Sequence, residues 1–435
     1  MIVCKFGGSS LADASQIKKV RSIVDADARR SIVIVSAPGK RTKDDQKVTD
    51  MLYECARLVD EGRSASAVFD AIALRYTTIL DDLGMDGQFF KPILDEVKAK
   101  IEAGAGAHWA ASRGEHLNAQ LVARYFGWEF LETEGRIIIA DDGSVDERSY
   151  ELLAQALKAD KRYVVPGFYG SNAQGAVQTF SRGGSDITGA ILSRASSADV
   201  YENWTDVSGV FSVDPRLVDG AHVVTTMTYQ EVRELAGVGA GVFHEEAIAP
   251  VIAAKIPINV KNTNAPADAG TWIVESRACD GQPIVGVSAK GGYSRLTLRK
   301  LMLLKNSGIR HALMTMMRIF GVRPTFSLFG IDSIVWFFET SQASEGVVEA
   351  MCARLKDEFA LDSIEVDHGH AIVGVVGSFV NEEATLLATI NGALGGQGIG
   401  ISFLNYGSSD TSVLLGVAQE QANAAVIALY RALFD

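Results

Sequence analysis

Lys5-Phe6-Gly7-Gly8-Ser9-Ser10 follows an apolar opening, Met1-Ile2-Val3-Cys4, and precedes apolar residues at helical spacing, Leu11, Ile17, Val20 and Val24. The pieces read as a β-strand, a glycine turn and a helix, with Ser9 or Ser10 as its expected N-cap. Such a junction presents backbone N–H groups at the positive end of a helix, and glycine lets an anion come close to them. Lys5 adds a mobile cation at the strand end. The order differs from the P-loop, where the lysine follows the glycines. Taken alone, the stretch is equally well an ordinary strand-to-helix turn beside an exposed lysine.

A second junction of the same kind is Ser181-Arg182-Gly183-Gly184-Ser185-Asp186, which opens a helical pattern at Ile187, Ala190, Ile191 and Leu192. Asp186 could do no more than cap that helix. Two such turns in one chain, however, each expose donors that need a partner. Between them, residues 31–37 form a β-branched run typical of a buried parallel strand. A charged loop, residues 39–47, follows and reads mostly as solvated. Val48-Thr49-Asp50 then begins a helix through Leu52, Cys55 and Leu58. Residues 64–126 read as helices broken at Gly84-Met85-Asp86-Gly87 and Gly104-Ala105-Gly106. Glu115 is expected in or just before the first turn of the last of these, where a capping role competes with a functional one.

Further strands are expected at residues 128–131, 137–140, 163–166, 199–205, 256–260 and 271–274, with a helix at 229–241. This alternation is the α/β pattern. Near residue 284 the rhythm changes. Two successive segments each read βαββα, a repeated ferredoxin-like unit. Their strands include 296–298, 324–329, 333–339 and 363–366 in the first and 371–376, 400–404 and 412–417 in the second.

The chain of 435 residues has room for two to three domains. Its 41 basic and 53 acidic side chains give a net charge of −12. That balance argues against nucleic-acid or membrane-surface partners, and an anion site must invert the field locally. The cysteines, Cys4, Cys55, Cys279 and Cys352, are far apart and have no metal-ligand spacing, so no metal site is expected. They suit a reducing compartment. With no signal peptide or membrane-length apolar run in view, a cytoplasmic location is expected.

The order and spacing of these motifs resemble those of the aspartate kinases. The resemblance rests on Lys5-Phe6-Gly7-Gly8-Ser9, Val48-Thr49-Asp50, Gly114-Glu115, Arg182-Gly183-Gly184-Ser185-Asp186, Trp204-Thr205-Asp206-Val207, Asp214-Pro215-Arg216 and Ile256-Pro257-Ile258. It implies an amino-acid-kinase domain over residues 1–283, a three-layer αβα sandwich with a mainly parallel central sheet. Two ferredoxin-like (ACT) units would follow at 284–368 and 369–435. The implied reaction is ATP-dependent phosphorylation of the L-aspartate side chain, the first step of lysine, threonine and methionine biosynthesis. A kinase of another acidic amino acid, or a catalytically weak sensing subunit, are the alternatives.

The resemblance also implies roles. Lys5, Gly7, Gly8 and Ser9 would meet the phosphates of ATP, and Mg²⁺ would come with the nucleotide. Asp186 would orient Lys5. Arg182 would pair with the aspartate α-carboxylate and Glu115 with its ammonium, while Thr49 and Ser185 complete the substrate contacts. Thr205, Asp206, Phe211, Arg216, Gly241 and Val242 would border the nucleotide. ACT domains imply at least a homodimer, or a dimer of dimers, with lysine or threonine as effector; Ser327, Asp332 and Ser333 are the candidate effector residues, in competition with a plain hairpin turn. Two departures stand out. In Gly239-Ala240-Gly241-Val242-Phe243-His244 the family's usual lysine is missing, with Lys255 and Lys261 as possible substitutes. Phe211 stands where a tyrosine is common.

Overall fold

The computed structural model describes residues 1–181, 183–241, 245–279, 281–305 and 308–435. They form two compact units that interleave in sequence. The first comprises Met1–Phe211, His222–Ala236 and Gly241–Ala278; the second comprises Ser212–Ala221, Gly237–Ala240 and Cys279–Asp435.

In the first unit the elements run β1 (Ile2–Phe6), α1 (Ala14–Asp25), β2 (Arg30–Val35), α2 (Val48–Asp60), α3 (Ser66–Asp82), α4 (Lys91–Glu102), α5 (Ala107–Phe126), β3 (Glu129–Phe130), α6 (Arg148–Ala156), β4 (Tyr163–Pro166), β5 (Tyr169–Ser171), β6 (Val177–Thr179), α7 (Gly184–Ala195), β7 (Val200–Thr205), β8 (Thr226–Thr228), α8 (Tyr229–Gly237), α9 (Ala249–Ala254), β9 (Ile258–Asn262) and β10 (Thr271–Val274). The main sheet has the order β3-β4-β2-β1-β7-β9-β10-β8. It is parallel from β3 to β9, and β10 joins β9 antiparallel. Strand β1 lies inside the sheet, with β2 on one side and the late strand β7 on the other. Ligands of open α/β sheets sit beyond the carboxyl ends of strands at such a switch in strand order.

Side-chain alternation divides β1 between two layers. Ile2, Cys4 and Phe6 join Val33, Val35 and the apolar faces of α1 to α5 in one core. Lys5 is of opposite parity and faces α7, which packs on β1, β2 and β7. Glu202, a buried carboxylate on β7, is partnered: it accepts from Arg30 at 2.8 Å and from the Trp204 indole at 2.9 Å.

Three expectations change locally. The chain after Gly7 makes a 3₁₀ turn, Gly8–Leu11, before α1 starts. The cap of α1 is therefore Asp13, which accepts the Gln16 N–H at 3.0 Å, while the Ser10 hydroxyl is engaged with Thr263 at 2.8 Å. Helix α5 begins at Ala107, so Glu115 lies in its interior and does not cap it. Gly114 resembles a helix breaker in sequence, but here it permits close approach, since a Cβ would lie 2.8 Å from that of Ala37. Residues 137–140 make only isolated bridges, from Ile138 to Ser171 and from Ile139 to Val145.

In the second unit β11 (Gly286–Arg299), α10 (Ile309–Ile319), β12 (Phe326–Phe329), β13 (Ser333–Glu339) and α11 (Glu345–Phe359) are followed by β14 (Ser363–Val376), α12 (Leu386–Gly395), β15 (Phe403–Asn405), β16 (Ser412–Ala418) and α13 (Ala422–Phe434). The βαββα rhythm is present twice. Both halves share one antiparallel sheet, β12-β13-β11-β14-β16-β15, because β11 and β14 pair along nearly their whole length. Residues 363–366 and 371–376 thus belong to one strand. Gly369 and Gly292 take φ of +78° and +85° at the irregular register between them, which lets the chain bend without leaving the sheet.

Helices α10 and α11 cover one core, and α12 and α13 cover another. The second core also takes in Val213, Leu217, Val218 and Ala221 from the early segment Ser212–Ala221. The Val287 N–H donates to the Ser212 carbonyl at 2.8 Å. Val238, from the other early segment, packs with Tyr293, Phe337, Ile372 and Phe403. Cys4, Cys55, Cys279 and Cys352 form no disulfide. Among the described residues no helix is long and apolar enough to cross a membrane.

Candidate active site

Lys5 occupies the last turn of β1 before the glycines, with only 11% of its side chain exposed. Its Nζ lies 2.7 Å from Asp186 Oδ1 in the first turn of α7. Asn203, the register partner of Lys5 on β7, donates from Nδ2 to the same oxygen at 2.6 Å. Asp186 therefore does not cap its own helix; Gly183 occupies the N-cap position, in a left-handed conformation at φ +58°. The carboxylate is committed to holding the lysine ammonium at the carboxyl edge of the sheet. Asn203 was missed in the sequence, although a polar residue inside a buried central strand was the available signal.

The glycine turn is shaped by close backbone approach. Gly7 N–H donates to the Trp204 carbonyl at 3.1 Å, and Gly39 N–H donates to the Gly8 carbonyl at 2.8 Å. A Cβ on Gly39 would fall 2.4 Å from the Gly8 carbonyl carbon, so only glycine fits there. The N–H groups of Gly8 and Ser9 open the 3₁₀ turn and precede the carbonyls that it supplies as acceptors. Ser9 is exposed.

Glu115 is buried, 5% exposed, and accepts a hydrogen bond from the Ala37 backbone N–H. Its Oε2 has no partner among the described residues. Burial pushes the carboxyl up to about 8. An unpartnered carboxyl of this kind favours a cation as ligand. Neighbouring groups fix the backbone around it: Tyr76 donates to the Gly114 carbonyl at 2.7 Å and Asn118 to the Ser36 carbonyl at 2.6 Å. Thr49 is half-buried in the first turn of α2.

On the α7 side Ser185 is buried against Gly167, where a Cβ would meet its Oγ at 2.5 Å. Phe168 follows at φ +78°, unusual for an aromatic residue. The Tyr169 N–H closes a three-residue turn onto the Gly167 carbonyl at 3.1 Å. The Phe168 N–H is held by Thr188 Oγ1 at 3.1 Å. A bulky residue in this strained region persists only where its surroundings enforce it, and such strain clusters at functional sites. Nothing in the local sequence signals it.

The remaining candidates are less tightly grouped. Thr205 ends β7 and Asp206 follows it, with Thr205 Oγ1 3.2 Å from Asp206 Oδ1. Phe211 bridges to Val223. Arg216 belongs to the second compact unit and is 87% exposed, paired with Asp214 at 2.6 Å. Gly241 is exposed with open space where a side chain would project. Arg182 and Val242 lie outside the described residues. Of the two substitute lysines, Lys255 precedes β9 at the amino edge of the sheet, paired with Glu275 at 2.7 Å. Lys261 is near the carboxyl end of β9, and its Nζ donates to the Asp268 carbonyl at 2.7 Å. In the second unit Ser327 is exposed on β12, Ser333 begins β13, and Asp332 accepts the Met302 N–H at 2.6 Å. Among the described residues no group of three or more His, Cys, Asp or Glu side chains could hold a metal ion.

The chain resembles known proteins over its whole length. Residues 1–262 match the model of the amino acid kinase family and residues 373–433 that of an ACT domain. Aspartokinase 3 of Bacillus subtilis is 33% identical, with 100% of this chain and 99% of the relative aligned. The crystal structure of Clostridium acetobutylicum aspartate kinase superposes with a TM-score of 0.92 at 39% identity, covering both chains fully. That of Escherichia coli aspartokinase III with aspartate and ADP superposes at 0.82 with 23% identity, a likeness of fold.

Proposed function

Because the chain belongs to the aspartokinases of the amino acid kinase family, we propose that the Lys5–Asp186 pair and Glu115 are the two poles of its aspartate kinase site. The enzyme transfers the γ-phosphoryl group of ATP to the side-chain carboxylate of L-aspartate, giving ADP and L-4-aspartyl phosphate, under allosteric control through its ACT region. The nucleophile has a reference pKa of about 3.9 and is ionised at neutral pH, so no general base is required. The protein has to hold two anions in line and neutralise charge on the phosphoryl group in flight.

The residues divide this work as follows. The Gly7, Gly8 and Ser9 turn cradles the phosphates, and Lys5, held by Asp186, supplies the positive charge. Glu115 receives the substrate ammonium, and Thr49, Ser185 and Arg182 hold the rest of aspartate. Thr205, Asp206, Phe211 and Val242 border the nucleotide. Mg²⁺ arrives with ATP, held largely by phosphates and water. The kinase domain spans residues 1–283 and the ACT units 284–368 and 369–435. The enzyme works in the cytoplasm as a homodimer or dimer of dimers, with lysine or threonine as effector at Ser327, Asp332 and Ser333. Escherichia coli aspartokinase III has been solved with lysine and aspartate. To take an effector, Asp332 must exchange the Met302 N–H for the ligand.

The observation that carries this reading is the buried Lys5–Asp186–Asn203 cluster at the switch point of the sheet, in a chain that matches an aspartokinase from end to end. The test is ADP release with aspartate, glutamate or no acceptor, each with and without lysine and threonine. Rapid release with aspartate alone, lowered by one of the two effectors, is expected. Equal release with glutamate overturns the substrate assignment, and indifference to both effectors removes them as regulators.

The open position at Gly241 gives a second prediction. Gly241→Lys is expected to lower the ATP KM about fivefold, the effect of about 1 kcal/mol from one added charge at a solvated site, with the aspartate KM unchanged. An unaltered ATP KM would place residue 241 beyond reach of the phosphates.

A further inference from the structure

Arg75 lies on α3, in a helix face otherwise made of Phe69, Ile72, Tyr76 and Ile79, and only 5% of it is exposed. Nothing in the reaction needs a cation there. Its guanidinium reaches the β2–α2 loop at three points. One terminal nitrogen donates to the Gly39 carbonyl. The other donates to the Gln46 carbonyl at 3.0 Å and lies 3.2 Å from Asp45 Oδ2. Asp45 is gripped from the other side by Arg41, through Nε at 2.9 Å and the backbone N–H at 3.0 Å. The loop that reads as solvated charge is thus fastened at both ends to one buried side chain.

Gly39 links that anchor to the phosphate turn. Its carbonyl is taken by Arg75 and its N–H donates to the Gly8 carbonyl at 2.8 Å. A peptide unit is planar and trans, so its C=O and the following N–H point opposite ways. Holding the Gly8 carbonyl toward Gly39 therefore aims the Ser9 N–H away from Gly39. We propose that Arg75 is a positioning residue for phosphoryl transfer, which acts through Gly39 to fix the direction of the Ser9 N–H at the phosphate turn. The inference rests on the phosphate-turn reading above and adds a residue outside the ligand contacts. A lysine cannot replace it, because one ammonium does not span two carbonyls and a carboxylate in the planar geometry of guanidinium. Misaimed donors cost rate more than ground-state affinity, because they count most as charge moves in the transition state.

The test compares Arg75→Lys, Arg75→Ala, Gly39→Ala and Lys5→Ala in the full-length enzyme, with kcat, both KM values and Tm measured for each. Arg75→Lys is expected to lower kcat at least about tenfold, in line with the effect of small misplacements, while the aspartate KM stays within about twofold. Millimolar guanidinium should restore part of the rate in Arg75→Ala and none in Lys5→Ala. Gly39→Ala, which presses on Gly8 while α3 is untouched, should show the same fall in kcat. Wild-type kcat in Arg75→Lys or in Gly39→Ala overturns the proposal, as does a loss in Arg75→Ala that guanidinium leaves unrepaired in folded protein. Should Arg75→Ala fail to fold, the other two variants still decide. Wild-type kcat in Lys5→Ala would instead remove the phosphate-turn reading itself, a separate result.

Discussion

Lys5→Ala is expected to lower kcat by on the order of 10²–10³-fold, the range seen when one preorganised charge or donor is removed from a transition state. Two effects add. The mobile cation is lost from the phosphoryl group, and Asp186 is left with Asn203 alone against its carboxylate, since Lys5 Nζ and Asn203 Nδ2 meet the same oxygen at 2.7 and 2.6 Å. An unneutralised carboxylate then faces the phosphates. The double variant Lys5→Ala/Asp186→Asn should bind ATP more tightly than Lys5→Ala while remaining as slow. Steady-state kinetics with ATP varied at saturating aspartate separates the two effects. A single variant with near wild-type kcat would remove Lys5 from the chemistry.

Glu115→Gln should do two opposite things. Aspartate saturation should weaken on the order of 10²–10³-fold, because the substrate ammonium would be buried without its counter-charge, a loss of about 3–5 kcal/mol in a dry site. Stability at neutral pH should rise. Burial raises the carboxyl to about 8 in the folded protein, against 4.5 for a solvated glutamate. Between those values the folded state keeps a proton that the unfolded state has shed. Stability contributed by the neutral form is therefore complete below pH 4.5 and declines as pH rises toward 8. Near pH 7 the decline amounts to about 3 kcal/mol. Thermal melts of wild type from pH 5 to 8 should show it, and Glu115→Gln should lack it. Aspartate binding near pH 7 should release close to one proton, read as a buffer-dependent heat in calorimetry. Melting curves of the two proteins with the same pH slope would place the perturbed group elsewhere.

The two glycine junctions were legible because they combine a strand end, a conformational exception and a helix start within a few residues. The same economy of signal exposed Lys5, Asp186 and the doubled βαββα units. Glu115 was legible as a residue but misplaced in its helix, since Gly114 looks like a terminus when its purpose is contact with Ala37. The Ser9 or Ser10 cap failed for a related reason: local spacing could not show the Ser10 hydroxyl committed to Thr263, more than 250 residues away in sequence. Phe168, Gly39 and Arg75 acquire their importance from close approach of distant segments. These are products of the packed state, and no local pattern carries them.

The interleaving of the two units has a consequence for how the enzyme is made. A chain leaves the ribosome from its N-terminus, and early domains ordinarily fold while later ones are still being synthesised. Here Val213, Leu217 and Val218 find their apolar partners in β14, β16 and α13, and Val238 finds its own in β13 and β14. Those partners emerge some 100 to 200 residues later, judged from the numbering. Ser212–Ala221 and Gly237–Ala240 must wait for those partners while the first unit settles around β1. Completion of the core around Val213 is thereby tied to synthesis of α13, so these early residues stay without their apolar partners until that helix has folded.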